Sequence, residues 1–108
     1  MRNSFEQRAL RHYRLRGYRI LGENVWIGGY ELDLVVRRGR RLAFVEVKAK
    51  SGDRLGDPLE MVTGEKQRRL RRAAETWLAS HPECAGLEAR FDVVAVRRGV
   101  VERLANAF

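Results

Sequence analysis

Tyr30-Glu-Leu-Asp-Leu-Val-Val36, Arg37-Arg-Gly-Arg-Arg41 and Leu42-Ala-Phe-Val-Glu-Val-Lys48 follow one another without a break. They read as two strands joined by a tight turn. Both outer runs alternate, and both are rich in Val, Leu, Phe and Tyr, residues that suit a pleated, half-buried surface. Gly39 suits a turn that needs positive φ. Folding the hairpin about Gly39-Arg40 sets Val35 opposite Phe44, Asp33 opposite Glu46 and Glu31 opposite Lys48. Strict alternation puts these six side chains on one face. Leu32, Leu34, Val36, Ala43, Val45 and Val47 then form an apolar layer on the other. A slip of one residue would mix the two faces, so the pattern supports this register.

Two carboxylates directly opposite each other destabilise a strand pair, because their side chains lie about 5 Å apart. Two readings stand side by side. In one, the face is solvated and Glu31 forms a cross-strand ion pair with Lys48. In the other, the carboxylates hold a hard divalent cation, which takes oxygen ligands from carboxylates and water.

Composition narrows the setting. A chain of 108 residues makes one small domain, 1–108, with a core of its own. Its 44% hydrophobic content is that of a globular chain. No apolar run approaches the roughly 18 residues of a membrane span. Met1-Arg-Asn-Ser-Phe5 has no apolar signal-peptide core, and the single Cys84 excludes an internal disulfide framework. A cytoplasmic, reducing location is the expectation. The formal net charge is +8, from 22 Lys+Arg against 14 Asp+Glu. That favours an anionic partner, nucleic acid first among them. An arginine-rich proteome would give the same balance with no partner.

Residues 4–16 read as a helix, with Ser4 as N-cap and Gly17 as the C′ glycine. Phe5, Ala9, Tyr13 and Leu10 fall on one apolar arc at 100° per residue, and Glu6 falls inside it. Glu6 is either a first-turn glutamate favoured by the helix dipole and wetted by solvent, or a carboxylate aimed into a polar site. Residues 18–27 read as a strand, and Gly28-Gly29 as the turn into the hairpin. Residues 49–57 read as a loop in which Lys50 and Arg54 are placed to meet phosphate; an ordinary surface loop would look the same. Asp57-Pro58-Leu59-Glu60 carries a helix-start signal. Thr63 caps a longer helix running to about Ser80, packed through Leu70, Ala73, Ala74, Trp77 and Leu78. Lys66 and Gln67 lie on its inner arc near the start. Arg68, Arg69, Arg71 and Arg72 point outward, as a phosphate-contacting face or as solvated helix surface. His81 and Cys84 are too few ligands for zinc, and His12 reads as surface. Residues 90–96 and 100–104 read as the last two strands. The strand after the long helix is expected parallel to its neighbour, in a mixed sheet flanked by helices.

An αβββαβ core with Asp on the second strand and Glu-x-Lys on the third resembles the restriction-endonuclease-like PD-(D/E)xK superfamily. The match narrows with Glu6-x-x-Ala9, Gly17-Tyr18-x-Ile20-Leu21, Glu31-Leu-Asp-Leu34, Phe44-Val-Glu-Val-Lys48, Gly56-x-Pro58, Lys66-Gln-x-x-Leu70 and Arg90-Phe-Asp-Val-Val94. This ordered set, with the closing Asn106-Ala-Phe108, resembles the YraN-type family of small bacterial proteins, which is compared with archaeal Holliday-junction resolvases. Leu32 stands where the superfamily has proline. Tyr30 intervenes between Gly29 and Glu31, which points to a local bulge, and Lys50 replaces an arginine.

The resemblance implies an α/β, restriction-endonuclease-like fold and a metal-dependent endonuclease that hydrolyses DNA, with branched or single-stranded structures as candidate substrates. It implies Mg²⁺ or Mn²⁺ on Asp33, Glu46, the Val47 carbonyl and Glu6. Lys48 would be the third catalytic residue, orienting the attacking water or stabilising charge on the phosphate. Glu31, Lys66 and Gln67 would line the rim. Junction cutting would favour a two-fold homodimer. The alternative is a nuclease-fold protein that binds nucleic acid without cutting it.

Overall fold

The computed structural model describes residues 4–49 and 62–108. The elements run α1 (Ser4–Leu15), β1 (Arg19–Ile27), β2 (Tyr30–Arg38), β3 (Arg41–Ala49), α2 (Gly64–Ala79), β4 (Glu88–Arg97) and β5 (Val100–Leu104), with a 3-10 turn at Pro82–Cys84 between α2 and β4. The expected order holds. The start signal at Asp57-Pro58 and the loop residues Lys50 and Arg54 lie outside the described residues.

The five strands form one sheet in the order β1-β2-β3-β4-β5. Neighbours are antiparallel except β3 and β4, which run parallel because α2 carries the chain back across the sheet. The central hairpin has the expected register: Val35 pairs with Phe44, Leu34 with Val45 and Arg38 with Arg41, around a turn in which Gly39 has φ +60°. The Thr63 hydroxyl accepts from the Lys66 amide at 3.3 Å and caps α2.

One helix covers each face. Under α2, Leu70, Ala73, Ala74 and Trp77 pack on Val35, Leu42, Phe44, Phe91 and Val93. Under α1, Ala9, Leu10 and Tyr13 pack on Leu34, Val36, Ala43, Val45, Val47, Val94 and Val96. The apolar arcs read from the sequence are the buried faces of both helices.

Within β2 the alternation fails at one place. Leu32 packs with the residues under α2, whereas Leu34 packs under α1. Two residues two apart on a regular strand would share a face. The neighbouring strand breaks with it: Val25, paired with Leu32, lies under α2, while Glu23 is paired with Leu34. Between these pairs stand Asn24 and Asp33, and Asn24 has φ +50°, in the left-handed region that Asn tolerates better than most residues. The irregularity expected at Tyr30 is absent there, since Tyr30 pairs with Ile27 across the two-residue turn. A further shift lies between Ile20 and Gly22. The switch at Asp33 therefore corrects the single-face arrangement: Leu32 leaves the layer of Leu34 and Val36, and Glu31 turns to the α1 side.

Candidate metal centre

The face switch decides which carboxylates meet. Oxygens of Glu6, Glu31 and Asp33 all lie within 4.8 Å of one another, the group among the described residues best placed to share a cation. Glu6 comes from the first turn of α1 and Glu31 and Asp33 from β2. Asn24 Nδ2 donates to Glu31 Oε1 at 2.9 Å and lies 3.4 Å from both oxygens of Glu6, so one amide bridges two carboxylates. Of the two readings of Glu6, the one that aims it into a polar site matches its placement.

Asp33 is tied to the next strand. Its Oδ2 accepts from the Val47 amide at 2.8 Å. Burial, and then the Glu46 carboxylate, push Asp33 up to about 7; the Val47 amide pulls the other way, and Glu31 and Glu6 add to the rise. Glu46 follows Phe44 on β3 and is only 5% exposed. Its Oε1 pairs with Lys48 Nζ at 3.1 Å, while its Oε2 is buried without a hydrogen-bond partner among the described residues. Burial raises its pKa, and the bond to Lys48 offsets part of that rise.

The Glu31–Lys48 ion pair of the solvated-face reading does not form: Lys48 pairs with Glu46, and Glu31 accepts a hydrogen bond from Asn24. Burial disfavours the Lys48 ammonium, but the bond to Glu46 outweighs it and holds the pKa above the ordinary value. Lys66 reaches the same place from α2, and its pKa is lowered chiefly by contact with Lys48. Burial next to Glu46 also raises the Tyr30 phenol. Gln67 is turned away to the helix entry, where its Nε2 donates to the Val62 carbonyl at 3.2 Å.

The site thus has an anionic side of Glu6, Glu31 and Asp33, and a mixed side of Glu46, Lys48 and Lys66. The donor set is all oxygen, which suits Mg²⁺ or Mn²⁺. The unpartnered Glu46 Oε2 and the hard-to-ionise Asp33 are what a divalent cation would relieve. Glu31, assigned to the rim by the resemblance, sits in the carboxylate group itself, and Glu46 lies beside that group.

Residues 5–96 match the model of the family described as "Uncharacterised protein family UPF0102". The chain belongs to the UPF0102 family. A UPF0102 protein of Frankia alni is 46% identical over 108 residues, spanning 95% of this chain and 89% of the relative. One of Methylorubrum extorquens is 44% identical over 106 residues, spanning 97% and 81%. A third, of Symbiobacterium thermophilum, is 45% identical over 103 residues, spanning 92% and 83%. These names state a family and no activity.

The UPF0102 chain holds a second buried carboxylate that the sequence reading leaves as an ordinary strand residue. Asp92, on β4, is 1% exposed. Its Oδ2 accepts from the Tyr13 hydroxyl at 2.7 Å and from Arg103 Nε at 3.2 Å, and its Oδ1 accepts from the Asn106 amide at 2.9 Å. Arg103 also donates to the Tyr18 hydroxyl and lies over both tyrosine rings. Burial, with Asp92 beside it, holds the Tyr13 hydroxyl protonated far above the phenol range. His12, expected at the surface, is half-buried against Tyr13. His81 stacks on Trp77 at 3.7 Å between ring centres, and Cys84 is buried.

The arginines read as a phosphate face, Arg68, Arg69, Arg71 and Arg72, are all exposed on α2. Arg71 is drawn over Phe91 and Phe108, at 5.2 and 5.3 Å from the ring centres, and so anchors the C-terminal segment. Among the described residues, no helix is long and apolar enough to cross a membrane.

Proposed function

We propose that this protein is a metal-dependent endonuclease hydrolysing phosphodiester bonds in nucleic acid, DNA foremost, with Mg²⁺ or Mn²⁺ as cofactor. One observation carries the reading. A buried carboxylate oxygen, Glu46 Oε2, has no partner among the described residues, next to three converging carboxylates and two lysines. Unpartnered buried charge is costly, and a fold keeps it where a ligand completes it. Asp33, Glu31, Glu6 and Glu46 would hold the ion, with the Val47 carbonyl as a further oxygen.

Such an ion supplies Lewis acidity, drawing charge from a phosphoryl oxygen and making hydroxide available at neutral pH. The protein supplies the rest. Asn24 keeps Glu6 and Glu31 aimed together. The Val47 amide fixes Asp33. Lys48, held by Glu46, presents a cation that orients the attacking water or stabilises negative charge on the phosphate. Lys66 stands ready for a neighbouring phosphate oxygen. The net charge of +8 favours the approach of a polyanion, and a reducing cytoplasm fits the buried free thiol of Cys84.

The second reading is a nucleic-acid binder that does not cut. The test is cleavage of a labelled panel comprising a four-way junction, flap, single strand, duplex and structured RNA. Each is run in Mg²⁺, Mn²⁺ and EDTA, with wild type beside Asp33→Ala and Lys48→Ala. Metal-dependent cutting lost in both variants is the expected result. Binding without cutting anywhere moves the assignment to the second reading. Cutting that survives Asp33→Ala removes this site from the reaction.

A further inference from the structure

We infer that Trp26 is a stacking platform for an unpaired nucleobase beside the carboxylate group, so that the preferred substrate has single-stranded or splayed nucleotides at the cut. This inference rests on the nucleic-acid reading above. Trp26 is 73% exposed, on the edge strand β1. Its cross-strand partner is Glu31. Directly paired residues of an antiparallel ladder share a face, with side chains about 5 Å apart. The indole therefore borders the group of Glu6, Glu31 and Asp33.

The face switch produces this placement. Val25 and Ile27 pack inward under α2, which turns Trp26 to the side of α1. There the helix leaves it uncovered. Asn24, two residues earlier on the same strand, donates to Glu31 and Glu6, so the strand that aims the carboxylates also carries the ring.

A flat aromatic face beside a phosphate-cleaving site recognises one thing well, the face of a base. In a duplex that face is covered by its neighbours in the stack. In a single strand, a flap or an open junction it is free. Stacking is sequence-tolerant, because every base has such a face. The net charge of +8 supplies the attraction for the backbone.

The test is binding in EDTA, at low salt, of a fluorescein-labelled oligothymidine, a duplex of the same length and a four-way junction. Wild type is compared with Trp26→Ala and Trp26→Phe, with circular dichroism and sedimentation confirming fold and size. Trp26→Ala should weaken oligothymidine binding about 5- to 150-fold. Its duplex affinity should stay close to wild type, and Trp26→Phe should recover most of the loss. Oligothymidine should also quench the emission of the exposed indole. Loss of single strand and duplex together, or of neither, overturns the inference. So does a change of oligomeric state in Trp26→Ala, which would mean that a second copy covers the ring. A parallel cleavage assay in Mn²⁺ separates the two proposals. Trp26-dependent binding without cleavage keeps the platform and removes the nuclease. Cleavage with an unchanged single-strand preference in Trp26→Ala does the reverse.

Discussion

Two buried acidic centres lie in this small sheet, and their surroundings are opposite. Asp92 accepts three hydrogen bonds, one of them from a guanidinium, and both its oxygens are engaged. At the other centre Glu46 keeps one oxygen without a partner among the described residues, and Asp33 is pushed up to about 7 by burial and by neighbouring carboxylates. A carboxylate saturated by its own fold has nothing left to offer a ligand. One left short of donors and crowded by like charge destabilises the fold at neutral pH, a cost that a bound cation would relieve. Asp92 thus serves structure, joining α1, β4 and β5, whereas the proposed ligand role of Asp33 and Glu46 would come at the expense of stability.

The sharpest break of that contrast is removal of each carboxylate. Asp92→Ala leaves the Arg103 guanidinium and the Tyr13 hydroxyl without their acceptor, which should cost about 3 to 5 kcal/mol in urea unfolding. Asp33→Asn should move the other way. Because Asp33 is raised in the folded chain, its contribution is fully present below about pH 4 and is lost as pH rises through about 7. The asparagine cannot ionise and still offers an oxygen to the Val47 amide. In metal-free buffer the variant should match wild type near pH 4 and exceed it at pH 8, with a ceiling of about 4 kcal/mol at about 1.4 kcal/mol per pKa unit. A loss of stability at pH 8 would mean that Asp33 is satisfied like Asp92.

Much of this was legible in the chain. Alternation and Gly39 placed the central hairpin in its observed register, and the helical arcs named the residues that α1 and α2 bury. The role of Asp92 was not legible. Alternation puts it on the α1 face, opposite to Phe91 and Val93, and a lone acid there signals a buried partner. That partner, Arg103, lies on another strand, and strand pairing at a distance leaves no periodic trace. The switch at Asp33 was hidden for a related reason. Strict alternation assumes a regular strand, and the irregularity needs Asn24 on β1 as well as Asp33 on β2. Asn24, as a residue that tolerates positive φ inside a strand, was the one available hint.

A metal sharpens the contrast by a smaller margin. Mn²⁺ at about a hundred times its dissociation constant should stabilise wild type by about 2.7 kcal/mol. Thermal shift should show that gain in Tyr13→Phe, whose substitution touches only the saturated centre, and lose it in Asp33→Asn. An equal gain in both variants would place the ion elsewhere.

The smallest effect expected is at Asn24, where backbone and side chain can be separated. Its φ of +50° strains any residue with a Cβ except those that tolerate the left-handed region, and its amide bridges Glu31 and Glu6. Asn24→Ala loses both and should cost about 1 to 2 kcal/mol. Asn24→Gly keeps the conformation at no steric cost and loses only the amide, so the penalty should fall below about 1 kcal/mol. If the bridge chiefly aims ligands, both variants should weaken Mn²⁺ binding to a similar degree despite their different stabilities. If glycine restores metal affinity as well as stability, the bent strand alone places the carboxylates, and the contrast with Asp92 comes down to backbone geometry.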